Sequence, residues 1–204
     1  MKYAIDVMTR EICFDGFLRV ARYCLRHSLF AGGWSAVLYR ERLESIEAAA
    51  AVLYDPAVDQ VIMVEQFRIG ALEQGRGAWT LEPVGGVVHS GEDPVEVVRR
   101  EAREEAGCEV LDLAPIGSVL INPGIAAQRV QLYCGRVSAS GAGGIFGLSQ
   151  EGEETRVRVL DLDHTIDGLY AGALDNATAI ISLQWLALNR ERLRARWCPG
   201  GSPC

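Results

Sequence analysis

The sequence of 204 residues lacks several features that would assign it to a large class of proteins. No apolar run approaches the roughly 18 residues that a membrane span requires, and the first six residues show no apolar signal segment. Basic residues are also scarce, because 20 Lys and Arg stand against 27 Asp and Glu, which gives a net charge of −7. Such a chain lacks the basic surface of a general nucleic-acid binder. We therefore expect neither a membrane nor a nucleic acid as a partner.

Zinc-type ligands are equally sparse. The chain has three histidines, and none of its six cysteines forms a C-x-x-C pair. This composition argues against a zinc site. Scattered cysteines without a signal segment are typical of reduced thiols in a cytoplasmic protein, and a cytoplasmic location is what we expect.

Apolar residues make up 49% of the chain, which is enough to fill a core and argues against overall disorder. The order of the elements, strands followed by a helix, more strands and two closing helices, predicts an α+β fold. Strands are predicted at residues 17–29, 35–42, 48–54, 60–67, 78–81, 109–121, 128–137 and 156–161, and helices at 93–106, 163–170 and 176–194. A loop rich in Gly and Ser separates the last two strands at 138–155, and a loop of that length is usually functional or disordered.

The clearest helix signal begins at Asp93, which is suited to cap the N-terminus, and continues with Pro94 in the first turn. Gly107 is the expected stop. Within this helix Glu101, Glu104 and Glu105 fall on one side, where their like charges repel. Oxygen ligands clustered in this way suit Mg²⁺, whereas the alternative is a solvated acidic face paired with neighbouring arginines.

The stretch from Gly86 to Cys108 reads GVVHSGEDPVEVVRREAREEAGC. It matches the Nudix box, G-x5-E-x7-R-E-U-x-E-E-x-G-U with U apolar, at every defined position. Further features resemble the ADP-ribose pyrophosphatase branch of the Nudix hydrolases. They are Glu65–Arg68, Trp79–Glu82, Pro123 sixteen residues after Gly107, Asp175–Ala177 and Leu183–Trp185.

The resemblance implies a fold and a division of the chain. The fold would be a Nudix α/β/α sandwich with a mixed sheet, preceded by a small N-terminal antiparallel β subdomain. The subdomain would occupy residues 1–46 and serve dimerisation and substrate contacts. The Nudix hydrolase domain would occupy 47–195, and residues 196–204 would form a flexible tail.

The resemblance also implies a catalytic centre. Two or three Mg²⁺ ions, which Mn²⁺ can replace, would be held by Glu101, Glu105, Glu153, Glu104 and the carbonyl of Gly85. Glu151 would be the base that deprotonates the attacking water. Taken alone, Glu151 and Glu153 are more typical of a solvated loop, but their place in a Gly-rich loop that precedes a strand favours a functional role.

Substrate contacts follow from the same resemblance, in which two subunits exchange N-terminal strands and share each site. Phe17 would stack on the adenine, while Arg40, Glu41 and Arg68 would hold the base and the phosphates. The remaining predicted contacts are Leu18, Val87, Asn122, Pro123 and Gly124. The alternatives are a core strand residue for Phe17 and a surface arginine for Arg40.

The expected activity is hydrolysis of the pyrophosphate bond of ADP-ribose to AMP and ribose 5-phosphate by a homodimer. Two alternatives stay open: a GDP-mannose or other nucleoside diphosphate sugar pyrophosphatase, and a non-catalytic Nudix ligand-sensing module. Ile125 and Gln128 depart from the pattern of many members of the branch, and this departure bears on recognition of the ribose.

Overall fold

The structure is a computed structural model and describes residues 3–44, 46–148, 150 and 152–198. Within these residues the chain forms eleven strands and three α-helices. The strands are β1 Ile5–Asp15, β2 Arg19–His27, β3 Leu38–Leu43, β4 Glu47–Asp55, β5 Gln60–Phe67, β6 Trp79–Glu82, β7 Val84–Val87, β8 Asp112–Leu120, β9 Arg129–Arg136, β10 Gly144–Phe146 and β11 Thr155–Asp161. The helices are α1 Pro94–Ala106, α2 Leu162–Tyr170 and α3 Ala177–Trp197. Over this part of the chain, none of the helices combines the length and the apolar character of a membrane span.

The chain divides into two compact units. The N-terminal unit comprises residues 1–46 and 120–129, and the larger unit comprises 47–119 and 130–204. In the N-terminal unit, β1, β2 and β3 form an antiparallel sheet in that order. Residues 120–129, the returning segment, are joined to the end of β3 by two backbone hydrogen bonds. The Leu43 N–H donates to the Ile125 carbonyl at 2.8 Å, and the Ala127 N–H donates to the Leu43 carbonyl at 3.0 Å.

The N-terminal sheet differs from the sequence prediction in two respects. β1 was not predicted, because almost every side chain from Ile5 to Asp15 is exposed and no inward-facing period marks the strand. Phe17, which was predicted on a strand, lies instead in the turn between β1 and β2, and its side chain is fully exposed. The alternative of a core residue at Phe17 is therefore excluded within this chain.

An eight-stranded sheet forms the centre of the larger unit. Its main path runs β10-β11-β5-β4-β9-β8, while β6 pairs with β5 and β7 pairs with β4. β4 and β5 are buried on both faces, as their continuous apolar runs predicted. Alternate residues of the two strands face opposite sides: Leu53 and Val64 pack in the cluster that contains the α1 residues, and Met63 packs in the cluster that contains α2 and α3. The predicted α/β/α sandwich and α+β class are confirmed.

Helix α1 follows its local sequence signals. The Asp93 carboxylate accepts a hydrogen bond from the Val95 N–H at 2.9 Å, and Pro94 lies in the first turn. Gly107 adopts a left-handed conformation with φ 62°, which ends the helix. Asp161 and Asn176 cap α2 and α3 in the same way as Asp93, by accepting from a backbone N–H.

Four cysteines, Cys13, Cys24, Cys108 and Cys134, are free thiols. The predicted tail from 196 to 204 begins inside α3 and lies outside the described residues from 199 onward.

Candidate active site

Two of the predicted glutamates lie on the inner face of α1, against β7. Glu101 is 9% exposed and Glu105 is 2% exposed, although both carry a carboxylate. The spacing of four residues places them one above the other on the same helix face as the core residues Val98 and Ala102. A buried carboxylate is costly unless hydrogen bonds or cations compensate it, so these two glutamates require partners.

Glu105 is held by two hydrogen bonds from other parts of the larger unit. The Gly85 N–H donates to Glu105 Oε2 at 2.9 Å, and the Gln66 side-chain amide donates to Glu105 Oε1 at 3.3 Å. A Cβ atom on Gly85 would lie 2.7 Å from the Ala49 carbonyl oxygen, so only glycine allows β7 to approach β4 this closely. These contacts fix the orientation of the Glu105 carboxylate.

Glu101 occupies the neighbouring position over Gly86. The Glu101 carboxylate fills the space that a Cβ atom on Gly86 would take, which explains why the box has glycine there. Arg100 forms an ion pair with Glu101 Oε1 at 2.8 Å and a second with Glu104 Oε2 at 3.3 Å. Arg100 thus helps to orient both Glu101 and Glu104.

The environment of Glu105 strongly disfavours its charge. Burial, together with the charge of Glu101, raises the pKa of the Glu105 carboxyl to about 8. The hydrogen bonds from Gly85 and Gln66 and the charge of Arg68 oppose this rise without cancelling it. The raised pKa shows that the protein only partly compensates the negative charge of ionised Glu105. A cation bound between Glu101 and Glu105 would stabilise the ionised form of both carboxyl groups.

Arg68 lies just beyond β5 and supplies part of that charge. Its guanidinium donates to both oxygens of the Glu82 carboxylate, from Nε to Oε1 at 3.2 Å and from Nη2 to Oε2 at 2.9 Å, a bidentate arrangement. Burial lowers the pKa of Arg68, but Glu82, Glu105 and Glu153 together raise it above its ordinary value. Thr80 donates to the other side of the Glu82 carboxylate, so the orientation of Arg68 is fixed.

The other predicted residues of the larger unit occupy the rim of this centre. Glu104 is half-buried and pairs with Arg100. Glu153 is exposed, and its charge acts on Arg68. Val87 ends β7 and is 46% exposed. Glu151, the predicted base, lies outside the described residues.

The donor set fits a hard divalent cation. Glu101 and Glu105 offer hard carboxylate oxygens, and their mutual repulsion is relieved by a divalent cation. Among the described residues, no group of three or more His, Cys, Asp or Glu side chains is arranged to hold an ion. The two carboxylates supply only part of the coordination shell that a divalent cation needs.

The remaining predicted substrate contacts belong to the N-terminal unit. Leu18 follows Phe17 in the turn between β1 and β2. Arg40 is exposed on β3, and Glu41 pairs with Arg22 at 2.8 Å. The turn at Asn122, Pro123 and Gly124 lies in the returning segment of the same unit.

Two residues of the centre received no role from the sequence. Gln66 and Glu82 were noted within the motifs Glu65–Arg68 and Trp79–Glu82, yet they hold Glu105 and Arg68 in place. A signal for Gln66 was available, because Ile62, Val64 and Gln66 share the face of β5 that packs on α1. A polar residue in an inward position of a buried strand needs a buried polar partner.

Comparison with known proteins gives concordant results. The model of the NUDIX domain matches residues 45–177. The chain is 40% identical over 196 residues to an ADP-ribose pyrophosphatase of Haemophilus influenzae, covering 95% of this chain and 90% of that protein. It is 38% identical over 196 residues to an ADP-ribose pyrophosphatase of Escherichia coli K12, covering 96% and 94%. A solved structure of an ADP compounds hydrolase superposes with a TM-score of 0.70 at 18% identity, covering 95% of this chain and 96% of that one.

Proposed function

The chain belongs to the NUDIX domain family, and from this premise we propose that it hydrolyses the pyrophosphate bond of ADP-ribose to AMP and ribose 5-phosphate. The observation that carries the proposal is the burial of Glu101 and Glu105 over Gly86 and Gly85, with Arg68 beside them. This arrangement provides carboxylates for divalent cations and a guanidinium for phosphate oxygens. The names of two relatives that align along nearly the whole chain support ADP-ribose as the substrate.

The proposed metal ligands are Glu101, Glu105, Glu104, Glu153 and the carbonyl of Gly85, which together would hold two or three Mg²⁺ ions or Mn²⁺ in their place. When bound, these ions supply positive charge that offsets the charge developing on the pyrophosphate oxygens. The rest of the chemistry falls to side chains of the chain itself.

Arg68 is proposed to bind a phosphate oxygen, since a guanidinium that is already oriented by Glu82 loses little freedom when it donates to an anion. Gln66 and the Gly85 N–H keep the Glu105 carboxylate in one orientation. Glu151 is proposed as the general base that takes a proton from the water attacking one phosphorus in line. The bond between that phosphorus and the bridging oxygen breaks, and the bridging oxygen leaves on the second phosphate, so that AMP and ribose 5-phosphate separate.

Recognition of the nucleoside is proposed to involve the N-terminal unit of a second subunit in a homodimer with exchanged strands. The exposure of Phe17 supports this, because a fully exposed aromatic ring is free to stack on a base. Leu18, Arg40, Glu41, Val87 and the turn Asn122–Gly124 complete the proposed contacts. A cytoplasmic location stays a prediction of the sequence.

A substrate panel tests the proposal. The purified protein is incubated with Mg²⁺ and ADP-ribose, NADH, GDP-mannose or diadenosine polyphosphates, and the products are separated and identified. We expect AMP and ribose 5-phosphate from ADP-ribose with the highest kcat/KM. If GDP-mannose is cleaved with the highest kcat/KM, GDP-mannose would be the substrate in place of ADP-ribose. If no compound is turned over, a ligand-sensing module would be favoured. Glu101→Gln is the control that loses turnover without a change in fold.

A further inference from the structure

Phe146 lies where the loop that carries Glu153 leaves the sheet. It is the last residue of β10 and faces Thr155 of β11 in the register of that antiparallel pair. Its side chain is half-buried and packs against the hydrophobic cluster on the α1 side of the sheet. A Cβ atom on Gly107 would lie 2.6 Å from ring carbons Cε1 and Cζ of Phe146. The ring therefore occupies the space beside Gly107 that any other residue would need.

The backbone after Phe146 joins the same end of α1. The Gly147 N–H donates to the Glu104 carbonyl at 3.2 Å. Glu104 lies in the last turn of α1, where carbonyl groups have no partner within the helix. The loop thus satisfies a carbonyl of the helix that carries Glu101 and Glu105, and it does so one residue after the ring contact.

From Gly147 the contacts continue directly to Glu153. Gly147 has φ 106°, and a Cβ atom there would lie 2.7 Å from the Glu153 carbonyl oxygen. The Glu153 N–H donates to the Leu148 carbonyl at 3.2 Å. The backbone of Glu153 therefore lies directly against Gly147 and Leu148.

We propose that Phe146 is a positioning residue, whose ring on Gly107 anchors Gly147 at the end of α1 and thereby fixes the backbone of Glu153, which packs on Gly147. This inference rests on the proposed function, because Glu153 matters there as a metal ligand. It assigns to Phe146 a part in the reaction that neither the box nor the family resemblance specifies. The alternative is that Phe146 only fills the core.

The first test compares Phe146→Ala with Ile145→Ala, a matched control in the same strand whose side chain is 56% exposed. Mn²⁺ affinity is measured without substrate by electron paramagnetic resonance of the free ion. We expect the dissociation constant of Phe146→Ala to rise about tenfold, as is typical when a group supporting a metal ligand is lost. We expect kcat on ADP-ribose with Mg²⁺ to fall by about as much, with KM changing little. Ile145→Ala is expected to match wild type.

The second test disturbs the contact from the other side. Gly107→Ala places a methyl group against the ring and also strains a left-handed residue. Gly141→Ala is its matched control, because Gly141 has φ 77° but its added Cβ would meet nothing within 4 Å. We expect Gly107→Ala to weaken Mn²⁺ binding and Gly141→Ala to leave it unchanged.

Circular dichroism verifies the fold of each variant, and Phe146→Leu replaces Phe146→Ala under the same criteria if the alanine variant is unfolded. Folded variants at Phe146 and Gly107 with wild-type Mn²⁺ affinity and wild-type kcat would show that the ring only fills the core. The proposed function and the positioning role of Phe146 are contradicted by different results. If wild type does not cleave ADP-ribose, the proposed function is wrong, while Mn²⁺ binding still reports on the role of Phe146.

Discussion

The side-chain amide of Gln66 donates to the carboxylate of Glu105 at 3.3 Å, in a place where Gln66 is 4% exposed and Glu105 is 2% exposed. The contact joins residues separated by 39 positions and links the end of β5 to the last turn of α1. It leaves Glu105 oriented, but its charge is only partly compensated, since the pKa of the carboxyl is still raised to about 8.

The raised pKa of Glu105 predicts an unusual pH dependence in the metal-free protein. The pKa of the Glu105 carboxyl is about 8 in the folded protein and 4.5 in the unfolded chain. Protonation of Glu105 therefore stabilises the folded state fully below about pH 4.5, and this stabilisation is lost as the pH rises through 8. In EDTA, we expect wild type to lose about 3 kcal/mol in the free energy of unfolding between pH 5 and pH 8.5, relative to Glu105→Gln. Urea denaturation measures this difference.

Magnesium should reverse that loss at pH 8.5, because a cation that binds the charged carboxylate stabilises only the folded state. Glu105→Gln should gain much less from magnesium. Equal pH profiles for wild type and Glu105→Gln would show that the carboxyl group titrates normally.

The pair of Arg68 and Glu82 predicts that stability and substrate binding can be separated. Arg68→Ala should raise KM mainly, and it should also cost about 1–3 kcal/mol in the free energy of unfolding, because Glu82 is left buried without its cation. Adding Glu82→Gln should recover most of the stability but none of the lost substrate affinity. Kinetics and urea denaturation of the single and double variants give both quantities. A double variant with restored KM would assign Arg68 a purely structural role.

Glu151 is predicted to act in the chemical step. Glu151→Gln should lower kcat by about 10²–10⁴-fold with little change in KM, because general-base catalysis contributes on that scale. Glu154→Gln, in the same acidic stretch, is the matched control and should keep wild-type kcat. The pH dependence of kcat should also lose its acidic limb in Glu151→Gln. An unchanged kcat would exclude Glu151 as the base.

Glu44 in the N-terminal unit gives a pH dependence of the opposite sign. The Arg10 guanidinium, 2.6 Å away, lowers the pKa of the Glu44 carboxyl to about 2, helped by Arg42 and Tyr23 and opposed by burial. Because the folded pKa lies below the ordinary value, the stabilisation is present above about pH 4.5 and is lost as the pH falls towards 2.

Glu44→Gln should therefore destabilise the N-terminal unit by about 1–2 kcal/mol at pH 7 and by almost nothing near pH 2. Hydrogen exchange of amides in β1, β2 and β3 measures the effect. Asp15→Asn is the control, because the Asp15–Arg19 pair is exposed on both sides and should contribute little at either pH. Equal losses in the two variants at pH 7 would contradict a special role for Glu44.

Local signals explain which parts of the fold the sequence predicted. Asp93, Pro94 and Gly107 define α1 because capping and stop residues act on the backbone within one turn. β4 and β5 were recognisable because both of their faces are buried. β10 was missed, since three residues within a glycine-rich loop become a strand only by pairing with β11.

The candidate site was predicted to the extent that the box contains it. Glu101 and Glu105 are adjacent on one helix face, which the helical period shows directly. The inward position of Gln66 indicated that it needs a buried polar partner but not which one, because Gln66 and Gly85 reach Glu105 through sheet pairings that join distant segments. Which strands lie next to each other in a sheet is a property of the whole fold and leaves no mark in a short stretch of sequence.

The position of Glu105 between α1, β5 and β7 has a consequence for the order of folding. Helix α1 depends on neighbours in sequence and can form early, whereas contacts across 39 residues close late, after the entropy of a long loop has been lost. A partly folded chain can therefore present the acidic helix without the backbone donor of Gly85 or the amide of Gln66. The site would then bind a divalent cation tightly only in the last stage of folding, once Gly85 and Gln66 have oriented Glu105. Binding of the ion would therefore distinguish the native protein from partly folded states.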